Sequence, residues 1–117
     1  METDTQTDLS ATLQGLTALS QDIRLRTFRM LMSAEPEGLP AGSISTALGV
    51  APNKLSAHLN ILLRAGLIKV ERIGRNMIYS ADVDAVGTLL TRLVETCCND
   101  NPDLCKQLNS FSKERCC

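Results

Sequence analysis

A helix stop at Gly49 and a helix start at Pro52 stand three residues apart, and this pairing constrains the fold more tightly than any other feature of the sequence. Ile44, Ala47 and Leu48 recur at helical spacing and predict a short helix ending at Gly49, a residue suited to the left-handed position just past a helix end. Val50-Ala51-Pro52 opens the next helix, because proline in the first turn gives up only an N–H that has no partner within the helix. From about Pro52 to Arg64, Leu55, Leu59 and Leu62 form a stripe expected to be buried. At ~100° per residue, Asn53, Ala57, Asn60 and Arg64 project to the other side, flanked by Lys54 and Ser56. Amide side chains pair with base edges and small residues permit close approach, so this face suits a helix lying in a major groove. An ordinary solvated face has a similar composition, and the neighbouring elements weigh against that alternative.

Short helix, turn and second helix reproduce the helix-turn-helix order, in which the second helix reads DNA. Downstream, Leu67-Ile-Lys-Val-Glu-Arg-Ile73 and Asn76-Met-Ile-Tyr-Ser80 are β-prone runs joined by Gly74-Arg75, a hairpin with an arginine at its tip. Lys69, Glu71 and Arg72 alternate imperfectly with Ile68, Val70 and Ile73, which predicts one solvated and one buried face near a bulge. Upstream, Leu9, Leu13 and Leu16, then Leu25, Phe28, Leu31 and Met32, predict two helices, the second capped by Ser20 or Asp22. Glu35-Pro-Glu-Gly-Leu-Pro40 is rich in breakers and is expected to be a loop. A last helix runs from an N-cap at Asp82 to about Cys98, with Val83, Val86, Leu90, Leu93 and Cys97 spaced 3, 4, 3, 4 and Leu89 and Val94 alongside. That coiled-coil-like seam is read as a dimer interface, with packing inside one chain as the alternative. The expected fold is mainly α with a β-hairpin, an α+β winged helix-turn-helix in the order ααααββα. One domain spans residues 1–117, with the recognition helix at about 52–64, the wing at 67–80, the last helix at 82–98 and a cysteine-rich tail at 99–117.

Composition narrows the function. A chain of 117 residues is too short for two independent cores, and 44% hydrophobic with 21% charged residues is a globular balance. Three aromatic residues (Phe28, Phe111, Tyr79) leave little for a single-strand stacking platform. No apolar run approaches the roughly 18 residues of a membrane span, and the acidic start is unlike a signal peptide, so a cytoplasmic protein with no membrane partner is expected. The net charge of −1 hides an asymmetry: residues 51–80 hold Lys54, Arg64, Lys69, Arg72 and Arg75 against the single acid Glu71, a local surplus on which a polyanion can dock.

Asp22-Ile-Arg-Leu-Arg-Thr, Ser56-Ala-His-Leu-Asn-Ile-Leu-Leu-Arg-Ala-Gly-Leu67 and Gly74-Arg75-Asn-Met-Ile-Tyr-Ser-Ala-Asp82 resemble the ArsR/SmtB family of metal-responsive winged-helix repressors, over residues 10–97. The resemblance implies a homodimer paired through the first and last helices, here Leu9, Leu13 and Leu16 with Val83, Val86, Leu90 and Leu93. It also implies that this dimer sits on double-stranded operator DNA, with no cofactor, until an inducer binds. On the DNA side, Asn53, Lys54, Ser56, Ala57 and Asn60 are expected at or near bases, and Ser43, Ser45, Arg72 and Arg75 on phosphates. His58 lies at the edge of the buried stripe, where it either contacts DNA or packs.

The sensing site has to come from elsewhere in the chain than in the best-known relatives. Where the family's arsenic-sensing pattern places Cys-x-Cys before the recognition helix, this chain has Ala41-Gly-Ser-Ile44. A zinc site on the last helix needs histidines, and His58 is the only one; no cysteine precedes Cys97 to form an N-terminal cadmium or lead site. All five cysteines fall in the last 21 positions, in a compartment that keeps thiols reduced. Cys97-Cys98-Asn-Asp-Asn-Pro-Asp-Leu-Cys105 resembles the C-terminal sites of a subgroup of arsenic-responsive repressors. Adjacent cysteines on a helix point about 100° apart, and Pro102 supplies the helix break that lets Cys105 return over Cys97 and Cys98. Three soft thiolates suit trivalent arsenic or antimony, As(III) or Sb(III), and two suffice for a methylated trivalent arsenical. Zinc wants a fourth ligand, which Cys116 or Cys117 can supply, so zinc, cadmium, lead and disulfide-based oxidant sensing stay open as alternatives. A thiol enzyme needs a base or an anion-binding loop beside a cysteine, and the sequence places neither there, so no enzyme is expected.

Overall fold

In the computed structural model, the Gly49 stop and Pro52 start fall where the sequence places them. The structure describes residues 2–93 and Asp103, with side chains from Leu9 onward. Its elements are α1 (Glu2–Leu19), α2 (Asp22–Ser33), β1 (Leu39–Pro40), α3 (Ala41–Leu48), α4 (Pro52–Arg64), β2 (Ile68–Ile73), β3 (Asn76–Ala81) and α5 (Val83–Leu93). Gly49 has φ 66°, in the left-handed region that a side chain disfavours. The Val50 N–H donates to the Ser45 carbonyl at 3.1 Å and the Gly49 N–H to that of Thr46 at 3.3 Å, so the end of α3 is satisfied by its own turn. Pro52 opens α4 at its first turn, and the Asp82 carboxylate caps α5, accepting from the Ala85 N–H at 3.1 Å. At α2 the cap is Gln21, whose side chain accepts from the Arg24 N–H at 2.9 Å, and neither Ser20 nor Asp22 takes that role.

One strand is added to the expected order. Within the breaker-rich stretch, Leu39 and Pro40 pair antiparallel with Tyr79 and Ile78, giving a three-stranded sheet in the order β1-β3-β2. Gly38 makes the approach to β3 feasible, since a Cβ there would lie 2.5 Å from the Tyr79 carbonyl oxygen. The β2–β3 register runs without interruption from Ile68↔Ala81 to Ile73↔Asn76, so the imperfect alternation comes from no bulge. Ile68 and Val70 face the core, Arg72 continues that face beyond where the core ends, and the distal wing is exposed on both faces.

The core gathers Phe28 and Leu31 of α2, Ile44 of α3, Leu55, Leu59 and Leu62 of α4, Leu67 and Ile68, Ala81, and Leu89 of α5. α1 joins it through small residues: Thr12, Gly15 and Ala18 are buried. A Cβ on Gly15 would stand 3.3 Å from both methyl carbons of Leu89, so α1 and α5 pack in close contact there. The larger row of α1 points away from the core: Leu9, Leu13 and Leu16 are 58%, 54% and 37% exposed. On α5, Val83, Leu90 and Leu93 are likewise about half exposed. The seam inferred from spacing is thus divided, since Leu89 is the residue α5 buries and Val86 is half-buried against the core. Positions 94–98 of the last helix, and the tail 99–117 apart from Asp103, lie outside the described residues.

Candidate nucleic-acid interface

The two faces of α4 are cleanly separated. Leu55, Leu59 and Leu62 are at most 1% exposed, while Asn53, Lys54, Ser56, Ala57, Asn60 and Arg64 face solvent. Amide oxygens and N–H groups, one ammonium and two small side chains are therefore presented on a single ridge, held rigidly by the leucines behind it. Asn53 Oδ1 accepts from the Lys54 N–H at 2.9 Å. At the other end the Gln14 amide donates to the Arg64 carbonyl at 3.4 Å, tying α1 to the end of α4.

α3 and the wing flank this ridge. Ser43 is exposed near the start of α3. Ser45, expected on a phosphate, is buried, and its hydroxyl donates to the Val50 carbonyl, so it closes the turn between α3 and α4 from inside. Arg75 is exposed in the two-residue turn at the wing tip. Arg72 is also exposed, with its Nε donating weakly to the Gly74 carbonyl at 3.4 Å.

His58 is half-buried on the α1 and α2 side of α4 and takes the packing option of the two the sequence leaves open. Arg24 Nη1 lies 3.2 Å from His58 Nδ1, and Arg24 Nε donates to the Ala18 carbonyl at 2.7 Å. Because a guanidinium only donates, Nδ1 must accept, and the ring proton of neutral His58 sits on Nε2. Desolvation, then the charges of Arg24 and Lys54, push the His58 pKa below its usual value. No local signal in the sequence marks Arg24 for this arrangement, since its partner is 34 positions away.

Among the described residues no three His, Cys, Asp or Glu side chains cluster to hold a metal ion. Cys97, Cys98, Cys105, Cys116 and Cys117 all lie outside the described residues. Among the described residues no helix is long and apolar enough to cross a membrane.

Residues 19–71 match a family model described as a helix-turn-helix domain. Over 84 residues the chain is 38% identical to YbzH, an uncharacterised helix-turn-helix transcriptional regulator of Bacillus subtilis strain 168, spanning 62% of this chain and 84% of that protein. Among solved structures, a winged helix-turn-helix DNA-binding domain from Mycobacterium bovis, described as homodimeric and as a possible ArsR-family regulator, is 26% identical with a TM-score of 0.59. That match covers 76% of this chain and 82% of the other. An ArsR-like transcriptional regulator from Rhodococcus sp. RHA1 shares the fold at a TM-score of 0.68 and 20% identity, covering 92% of this chain and 97% of the other.

Proposed function

Because the chain belongs to the helix-turn-helix transcriptional regulators and resembles a possible ArsR-family member of that group, we propose that it is an operator-binding repressor of the ArsR family that acts as a homodimer and is released when trivalent arsenic or antimony is bound by Cys97, Cys98 and Cys105. The observation that carries the DNA half is the α4 ridge: exposed amides, small residues and Lys54 over a fully buried leucine stripe, with Arg75 at the tip of the adjoining wing. Asn53 and Asn60 have the donors and acceptors that read base edges, with Lys54 beside them on the ridge, whereas Arg72 and Arg75 match phosphates. The dimer half is supported by the exposed leucines of α1 and α5, an apolar surface that a second copy would cover.

The inducer half rests on donor chemistry. Three soft thiolates within nine positions fit a thiophilic ion that accepts three ligands. Thiols give up their protons on binding. Drawing these cysteines together just beyond Leu93 would alter how two copies pair along α5, and with it the separation of the two α4 helices. Those helices must meet half-sites roughly 34–36 Å apart, so a coupling of ~1–3 kcal/mol weakens operator binding by about 5- to 150-fold.

The test begins with duplexes selected from a random pool by the full chain, which are then titrated with arsenite and antimonite in reducing buffer. Release of the wild type, with retention of the Cys98→Ser variant on the duplex, is expected. Equal release of both removes the thiolate site, and failure to enrich any duplex removes the DNA reading.

A further inference from the structure

Arg24 occupies a junction that the DNA reading leaves unexplained. It sits in the first turn of α2, where Gln21 holds its backbone N–H at 2.9 Å. From there the guanidinium reaches in two directions. One N–H meets the carbonyl of Ala18, among the last four carbonyls of α1 that lack an intrahelical donor. The other meets Nδ1 of His58, on α4 and one position beyond Ala57 of the exposed ridge. A single planar side chain thus joins the helix with the exposed leucine row to the helix with the polar ridge.

We propose that Arg24 is a positioning residue for sequence reading: by donating at once to Ala18 and to neutral His58, it fixes the orientation of α4 relative to α1, and this link opens when His58 takes up a proton. The inference rests on the DNA reading above and names residues outside the ridge that govern how well it reads. A guanidinium cannot donate to an imidazolium, which has no lone pair to offer, so protonation replaces a hydrogen bond with like-charge repulsion. The charged groups acting on the ring are Arg24 from α2 and Lys54 of α4, both cationic. The part of α1 between Leu9 and Leu19 contains no ionisable side chain to offset them. Burial and these two cations already favour the neutral ring.

The sign of the pH effect separates positioning from charge alone. An added cation on α4 strengthens attraction to any duplex, whereas loss of the Arg24 link weakens discrimination between a matched duplex and a scrambled one. His58 is the only histidine in the chain, and because its pKa is lowered by burial and by Arg24 and Lys54, the pH series runs from 7.2 down to the most acidic pH at which circular dichroism still shows the native helix content. Affinities for a selected and a scrambled duplex are to be measured by fluorescence anisotropy across that range, for the full-length wild type, His58→Asn and Arg24→Lys. The amide introduced by His58→Asn keeps an acceptor near the Nδ1 position and cannot titrate. The ammonium introduced by Arg24→Lys keeps the charge but lacks the planar fork that serves two acceptors at once.

The wild type should lose roughly five- to tenfold in its selected-to-scrambled ratio on acidification. His58→Asn should hold the neutral-pH ratio throughout, and Arg24→Lys should show the reduced ratio at both ends. A wild-type ratio that stays level or rises, an equal fall in His58→Asn, or an undiminished ratio in Arg24→Lys overturns the inference while leaving DNA binding intact. Failure of the wild type to bind either duplex at pH 7.2 overturns the DNA reading and the positioning role together.

Discussion

Leu59 of α4 and Leu13 of α1 belong to rows with the same helical spacing, yet Leu59 is 1% exposed and Leu13 is 54% exposed. α4 turns its leucines inward and its amides outward. α1 does the reverse, burying Thr12, Gly15 and Ala18 and leaving Leu9, Leu13 and Leu16 in solvent. The reason lies across the contact: α4 has the open core of α2, α3 and the sheet to fill, whereas α1 meets α5 so closely that Gly15 is already at the methyl groups of Leu89. Large residues cannot enter that seam, so among the described residues the apolar row of α1 has no surface that covers it. Periodicity identifies an apolar face, and the size of the residues on the opposite face tells whether the chain itself can bury it.

Four substitutions sharpen or break this contrast. Leu59→Ala removes a filled core position and should cost ~2–5 kcal/mol of folding stability, read by chemical denaturation; a loss near that of a surface change would mean α4 is not anchored as described. Leu13→Asp should leave monomer folding nearly unchanged but weaken self-association by about 2–4 kcal/mol in sedimentation equilibrium, and an unaltered mass distribution would remove α1 from the interface. Asn60→Ala acts on the other kind of face, with an expected cost of ~1–3 kcal/mol on a selected duplex and little on a scrambled one. Uniform loss on both would make Asn60 a backbone contact. The smallest effect is expected from Arg75→Ala, which should reduce the salt slope of dimer binding by about 2, near 0.9 per phosphate, and an unchanged slope would take the wing tip off the DNA.

What the sequence made legible was what local chemistry decides. The Gly49 turn, the α4 stripe, the Gly74-Arg75 hairpin tip and the Asp82 cap each depend on a few adjacent residues, and each stands where those residues place it. Features set by distant partners were not legible. β1 is two residues long, too short for any periodicity, and exists because β3 offers it a ladder. Ser45 has the composition of a phosphate contact but is turned inward by the Val50 carbonyl. The division of α5 between Leu89 inside and Leu90 outside follows from Gly15 on another helix. Arg24 reads as one more surface cation until the fold brings Ala18 and His58 to it.

The central claim is that the leucine faces of α1 and α5 pair two copies so that two α4 ridges engage one duplex. Sedimentation velocity of the full chain with a fluorescent selected duplex tests it directly, because the mass of the labelled species counts chains. Two chains per duplex, with no single-chain complex at sub-saturating protein, is the result the account predicts. A saturated complex holding one chain would contradict it.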